Sequence, residues 1–174
     1  GSDMNIEGAL ALPRAVRLFT RANGAAKRGR TPVNATCDLA LPQLLAYLAD
    51  PAHAPVPVPR SIAQFDLGNL DGLPLGFTDA ALVGDTLLYT ATAEASEDAS
   101  MDGAVSGSVI GLIPVNGTLR YAPLTDPEGR RTQDKIEGIV ALPGTVDRVY
   151  VVIDADDPVR ASELCEVQLK GPWG

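Results

Sequence analysis

A nine-residue run near the start of the chain, Asn5-Ile6-Glu7-Gly8-Ala9-Leu10-Ala11-Leu12-Pro13, returns near its end as Lys135-Ile136-Glu137-Gly138-Ile139-Val140-Ala141-Leu142-Pro143. Each copy is followed by a short turn-forming gap and a second apolar stretch, residues 15–20 in one case and 148–153 in the other. A looser third copy stands between them: Phe77-Thr78-Asp79-Ala80-Ala81-Leu82-Val83, then Gly84-Asp85, then the stretch 86–91. The shared order is acid, small residue, apolar strand, turn, apolar strand. A unit repeated along a chain is one supersecondary element that stacks on its neighbours to bury its apolar face. Ordinary hairpins of average composition would share the apolar pattern, but not the matching Ile-Glu-Gly and Ala-Leu-Pro ends.

The remaining segments read as outer strands of the same units. Residues 105–115 and 118–123 flank Asn116-Gly117, a dipeptide whose tolerance of positive φ makes it a strong signal for a type I′ hairpin turn. Residues 163–170 supply a final edge strand, and 61–67 another. One segment departs from the β pattern: over 42–49, Leu44, Leu45 and Leu48 fall at helical spacing, with Pro42 suited to a first turn and Pro51 ending it. The four prolines in 51–59 then make an extended connector.

These units, about 5–70, 77–125 and 135–170, have the length of four-stranded propeller blades, with the helix inserted in the first. The expected fold is therefore all-β, a β-propeller fragment of about three blades. Propellers close with about four to eight blades, so such an arc is expected either to self-associate or to be completed by further blades of the same chain.

Charge and composition limit what the blades can bind. Hydrophobic residues make up 45% and charged residues 21% of the 174, ordinary values for a folded chain. The formal net charge of −8 disfavours nucleic acid and anionic membranes and permits cations. No apolar run approaches the roughly 20 residues that cross a bilayer. Gly1-Ser2-Asp3-Met4 reads as a cloning remnant, which removes any weight from the lack of a signal peptide. A cytoplasmic location is the expectation. Cys37 and Cys165 sit in strand-like surroundings and are expected as free thiols. With His53 as the single histidine, they cannot form the usual zinc set.

The segments 5–8, 21–24, 39–48, 77–80, 135–138 and 154–158 resemble an uncharacterised bacterial β-propeller family, broadly similar to the esterase-like phytase and SdiA-regulated propellers. The resemblance implies a propeller fold and a longer parent chain; it carries over no catalytic residue.

Catalytic signatures are mostly absent. Val105-Ser106-Gly107-Ser108 is not a nucleophile elbow, no phosphate loop or dinucleotide fingerprint occurs, and His53 lies in the connector. Asp154-Ala155-Asp156-Asp157 lacks the glycine and glutamate of an EF-hand loop and reads as a solvated turn before Pro158. The basic stretch Arg14, Arg17, Arg21, Lys27, Arg28 and Arg30 offers charge for an anion, but 27–30 reads better as an exposed hairpin tip kept soluble by its charge. Asn34-Ala35-Thr36 and Asn116-Gly117-Thr118 match the glycosylation pattern but are discounted, the second because its turn needs it.

What survives is Glu7, Asp79 and Glu137, each at the start of the first strand of a repeat. On innermost strands they would face the central channel, where convergent carboxylates repel unless a cation or basic side chains neutralise them. Arg21 and Lys135 are the basic candidates, and Ca2+ the candidate ion, by similarity to calcium-dependent propeller hydrolases of the lactonase and phytase type. Alternatively, the three acids simply cap turn amides at strand starts. The leading expectation is a binding or scaffold module recognising a small ligand or cation at the channel mouth. The alternative is a calcium-dependent hydrolase of esters, lactones or phosphoesters.

Overall fold

Short turns and alternating apolar strands produce three antiparallel meanders in the computed structural model, which describes residues 4–22, 26, 29–95, 103–114, 118–171 and 173. The first sheet is β1 (Ile6–Leu12), β2 (Ala15–Thr20), β3 (Asn34–Ala40) and β4 (Arg60–Phe65), hydrogen-bonded in that order. The second is β5 (Asn69–Leu70), β6 (Leu73–Val83), β7 (Thr86–Ala95), β8 (Ala104–Ile113) and β9 (Arg120–Pro123). The third is β10 (Lys135–Ala141), β11 (Arg148–Asp154) and β12 (Glu163–Gln168). The chain is all-β and propeller-like: three blade-like sheets and one inserted helix, α1 (Leu41–Ala49).

Local chemistry explains the tight turns. Leu12 pairs with Ala15 and Val83 with Thr86, so Pro13-Arg14 and Gly84-Asp85 close two-residue loops. Asp71-Gly72 does the same between β5 and β6, with φ of 53° and 82° at its two positions, the left-handed pair that a type I′ turn requires. The Asn116-Gly117 turn expected between β8 and β9 lies outside the described residues, as do residues 1–3 of the cloning remnant, Asn23-Gly24, and Lys27 and Arg28 of the basic tip.

In α1 the spacing is helical but the packed stripe differs from the expected one. Leu41, Leu44 and Tyr47 are half-buried, while Leu45 and Leu48 are exposed. Contact with β2 and β3 covers only one narrow side of the helix. Pro42 occupies its first turn, where a missing N–H costs nothing. Among the described residues, no helix is long and apolar enough to cross a membrane.

The second sheet lies between the other two, and both of its faces are cores. Toward the first sheet, Phe77 sits at the centre of an aromatic cluster, edge-to-face with Phe19 at 5.4 Å, Phe65 at 5.7 Å and Tyr89 at 5.3 Å between ring centres. Toward the third sheet, Val83, Leu88 and Ile110 pack with Ile136, Val149, Val151 and Leu169. The first strands β1, β6 and β10 meet, with β6 in the middle. The far face of the third sheet leaves Val140, Val152 and Leu164 exposed, and Ile62 is exposed on β4.

Buried polar side chains lock neighbouring sheets together. Asn34 accepts from the N–H groups of Ala22 (2.9 Å) and Phe77 (3.2 Å) and donates to the Leu75 carbonyl (2.8 Å). Those bonds occupy the amide of the Asn34-Ala35-Thr36 acceptor pattern. Ser108 donates its single proton to the Asp134 carbonyl (2.7 Å) and accepts from the Ile136 N–H (3.0 Å). Thr92, 2.7 Å away, is then the donor to Ser108. Buried polar groups bonded this completely specify one relative placement of the sheets.

Candidate functional site

All three inner strands carry a β-bulge, near the start of β1 and β10 and midway along β6. The register slips between Ile6 and Gly8, between Phe77 and Asp79, and between Ile136 and Gly138. A bulge puts one extra residue into a strand and re-aims its side chain, which is why bulges gather beside functional sites. The extra residues are Glu7, Thr78 and Glu137. The repeat therefore aligns Glu7 with Glu137 as expected, but places Thr78 opposite them in the middle strand and Asp79 where the other copies have Gly8 and Gly138.

Asp79 performs a different task from the two glutamates. Its Cα and Oδ1 lie so close to Gly8 that a Cβ there would come within 3.0 and 3.2 Å of them. On the other side Ile139 donates its N–H to Asp79 Oδ2 at 2.9 Å. The carboxylate thus bolts β6 to β10 by a hydrogen bond, and the same residue packs closely against β1 at Gly8. Burial pushes its pKa up, and the N–H groups of Ile139 and Ala80 oppose that rise.

A half-buried acid with a raised pKa adds stability below the unfolded carboxyl value, about 4, and loses it as pH rises through its folded value. Asp79→Asn, which keeps the acceptor and removes the charge, should therefore remove the fall in stability that the carboxyl contributes between its unfolded and folded values. Asp79→Ala should cost about 1–3 kcal/mol by leaving the Ile139 N–H unpaired. Urea unfolding of both variants between pH 4.5 and 7 checks this, and equal costs for Asn and Ala would contradict the bolt.

Glu7 and Glu137 stand at the mouth formed by the starts of β1 and β10. Glu137 is half-buried, and burial is the main cause that raises its pKa. The Lys135 ammonium opposes the rise through a 3.1 Å ion pair, the Arg21 charge opposes it from farther off, and the negative Glu7 adds to it. Lys135, itself buried, also reaches Asp156 Oδ2 at 2.9 Å. The acidic turn 154–157 makes the local turn bonds expected of it, from Asp156 N–H to Asp154 and from Val159 N–H to Asp157, and additionally supplies this counter-ion.

Arg21 lies at the end of β2 with its stem against Gly76, where a Cβ would fall 2.7 Å from Arg21 Cγ. Its Nη2 donates to Glu94 Oε2 at 2.5 Å, and Glu94 Oε1 accepts the Gly103 N–H at 2.6 Å. The side chains of Arg21 and Glu94 are only 5% and 2% exposed, so the pair is out of water. Arg21 Nε has no partner among the described residues. Both cations are thus already paired, Arg21 with Glu94 and Lys135 with Glu137 and Asp156, and the acids are spread around them rather than gathered at one point.

Glu94 and Asn34 were not visible as special in the sequence: the first lies in the bland Thr92-Ala93-Glu94-Ala95 alternation, and the second is read as a glycosylation pattern. Other candidates fall away from the mouth. Arg17 pairs with Asp38 across β2 and β3 (2.7 Å), His53 is exposed beside Asp50 (2.9 Å), and Ser108 is committed to its three hydrogen bonds. Both cysteines are free thiols, Cys37 buried and Cys165 half-buried. Among the described residues, no three His, Cys, Asp or Glu side chains gather as a metal ion would need.

No curated protein and no solved structure matches the chain. The pattern of a Family of unknown function (DUF6910) covers residues 1–158, and the chain belongs to that family.

Proposed function

We propose that the chain is a binding module of propeller type that takes a small cationic ligand at the mouth between β1 and β10. The observation that carries this reading is the pairing of Glu7 and Glu137 on equivalent bulges. The glutamates are close enough for Glu7 to raise the pKa of the half-buried Glu137. Two like charges this close, with Glu137 half-buried, favour a cation, because the cation relieves their repulsion and the lost hydration of Glu137. Calcium is the simplest probe. Its ligands at this mouth would be Glu7 and Glu137, with water or substrate oxygens filling the remaining positions, and Asp79 stays bonded to Ile139.

A ligand bound only to the native state adds RT ln(1 + [L]/Kd), roughly 2.7 kcal/mol at 100 times Kd. For a chain of this size that raises the melting temperature by about 2–4 °C per kcal/mol. Calcium should raise the melting temperature of the wild type in a saturable way and leave Glu137→Gln unmoved. A flat wild-type curve, or an equal rise in the variant, removes the proposal.

A second reading, a calcium-dependent hydrolase of esters, lactones or phosphoesters, draws support from the same carboxylate. A raised proton affinity is what a general base near neutral pH needs. Calcium-dependent turnover of an ester and lactone panel that vanishes in Glu137→Gln would select it; calcium binding without turnover selects the module.

A further inference from the structure

The end of the sheets opposite the mouth carries a cleft that the proposed function does not use. It opens between the β6–β7 turn, the loop joining β10 to β11, and the C-terminal segment after β12, and its volume is about 450 Å³. Val83, Leu88 and Leu169 form its floor, which is the core shared by the second and third sheets. Trp173 forms a wall and packs against the same core. Its indole N–H donates to the Lys170 carbonyl at 3.1 Å, so the polar edge of the ring is engaged by the backbone.

The charged lining residues are Asp85 and Asp147, both acidic, and no lysine or arginine among the described residues lines the cleft. Asp147 is held in place: its carbonyl accepts the Leu169 N–H at 2.7 Å and its carboxylate accepts from Gln168 at 2.8 Å. On its other side Trp173 borders a second cleft of about 570 Å³. That one includes Lys170 and lacks a uniform sign. The second cleft also combines apolar residues and Trp173 with two carboxylates, Asp126 and Glu166, so what sets the first apart is that its charged lining among the described residues is acidic throughout.

We infer that the cleft beside Trp173 is a binding site for a small organic cation with an aromatic or alkyl body. The body would lie on Val83, Leu88 and Leu169, and the cationic head would sit against Trp173 and the two aspartates. An aromatic face attracts a cation through its quadrupole, and a desolvated apolar floor strengthens that attraction. The net charge of −8 adds a long-range field of the same sign preference. The site is separate from Glu7 and Glu137 and does not depend on them.

Trp173 is the single tryptophan of the chain and borders both clefts, so its emission reports binding beside the indole and the Asp85 and Asp147 variants assign that binding to the first cleft. Titration with benzyltrimethylammonium should change the emission in a saturable way. Benzenesulfonate, with the same ring and the opposite charge, should not. The double variant Asp85→Asn, Asp147→Asn should bind about fivefold or more weakly, and Glu137→Gln should bind as the wild type does. The ligand should also raise the melting temperature of the wild type but not of Trp173→Ala, a readout independent of fluorescence. No saturable change with benzyltrimethylammonium, an equal response to benzenesulfonate, or unchanged affinity in the double aspartate variant would overturn the assignment.

Discussion

Replacing Arg21 with methionine is expected to cost about 3–5 kcal/mol, the loss typical when one partner of a buried ion pair is removed and the other charge stays buried. Methionine keeps an apolar stem over Gly76, so the cost reports the charge and not the packing. Glu94 would be left with the Gly103 N–H as its one described donor, its side chain only 2% exposed. Adding Glu94→Gln to Arg21→Met removes the uncompensated charge and should restore most of the stability. Urea denaturation at neutral pH separates these outcomes. A loss below about 1 kcal/mol for the single change would mean that the pair behaves as a solvated surface bridge.

Phe77→Ala should be comparably severe, about 3–5 kcal/mol, because it opens a cavity where the first and second sheets meet. Phe77 is fully buried and touches Phe19, Phe65 and Tyr89 edge-on. Each such aromatic pair adds about 0.5–1.5 kcal/mol beyond the area it buries. Phe77→Leu fills most of the volume but restores none of the ring contacts, so it should fall between wild type and alanine. Thermal melts of the three proteins give the order, and a Leu variant no more stable than Ala would show that volume is not the governing quantity.

These two sites show where the sequence could be read and where it could not. The repeat, the paired strands and the helix near Pro42 follow from apolar periodicity and from turn residues, both of which are local. Strand β3, with Asn34-Ala35-Thr36-Cys37-Asp38, has no such signature: its polar alternation becomes a strand only because β2 and β4 pair with it on either side. The helix spacing of Leu44, Leu45 and Leu48 was legible, but which side would pack was not, since a helix touching only β2 and β3 covers just part of its apolar surface.

The place of the acids along the inner strands was legible to within one residue. Aligning acids placed Asp79 with Glu7 and Glu137, whereas the bulges align Thr78 with them. A one-residue slip reverses which face of a strand a side chain occupies, and nothing in the sequence marks where a bulge falls. The glycines at Gly8 and Gly138 take their meaning from the same slip. At Gly8, the inner strand passes within contact of Asp79. Arg21 and Lys135, named as neutralising groups, are both buried at this mouth. Glu94 reaches Arg21 only because the first and second sheets stack, whereas Asp156 lies two residues past Asp154, which pairs with Lys135 within the third sheet.

Backbone-amide NMR of the labelled protein during a calcium titration tests the binding mouth most directly. Saturable shifts should concentrate in residues 5–8, 20–22 and 135–138, and Glu137→Gln should abolish them. No saturable shift, or shifts confined to the 154–157 turn or to the cleft beside Trp173, would contradict the assignment of the mouth between β1 and β10 as the ligand site.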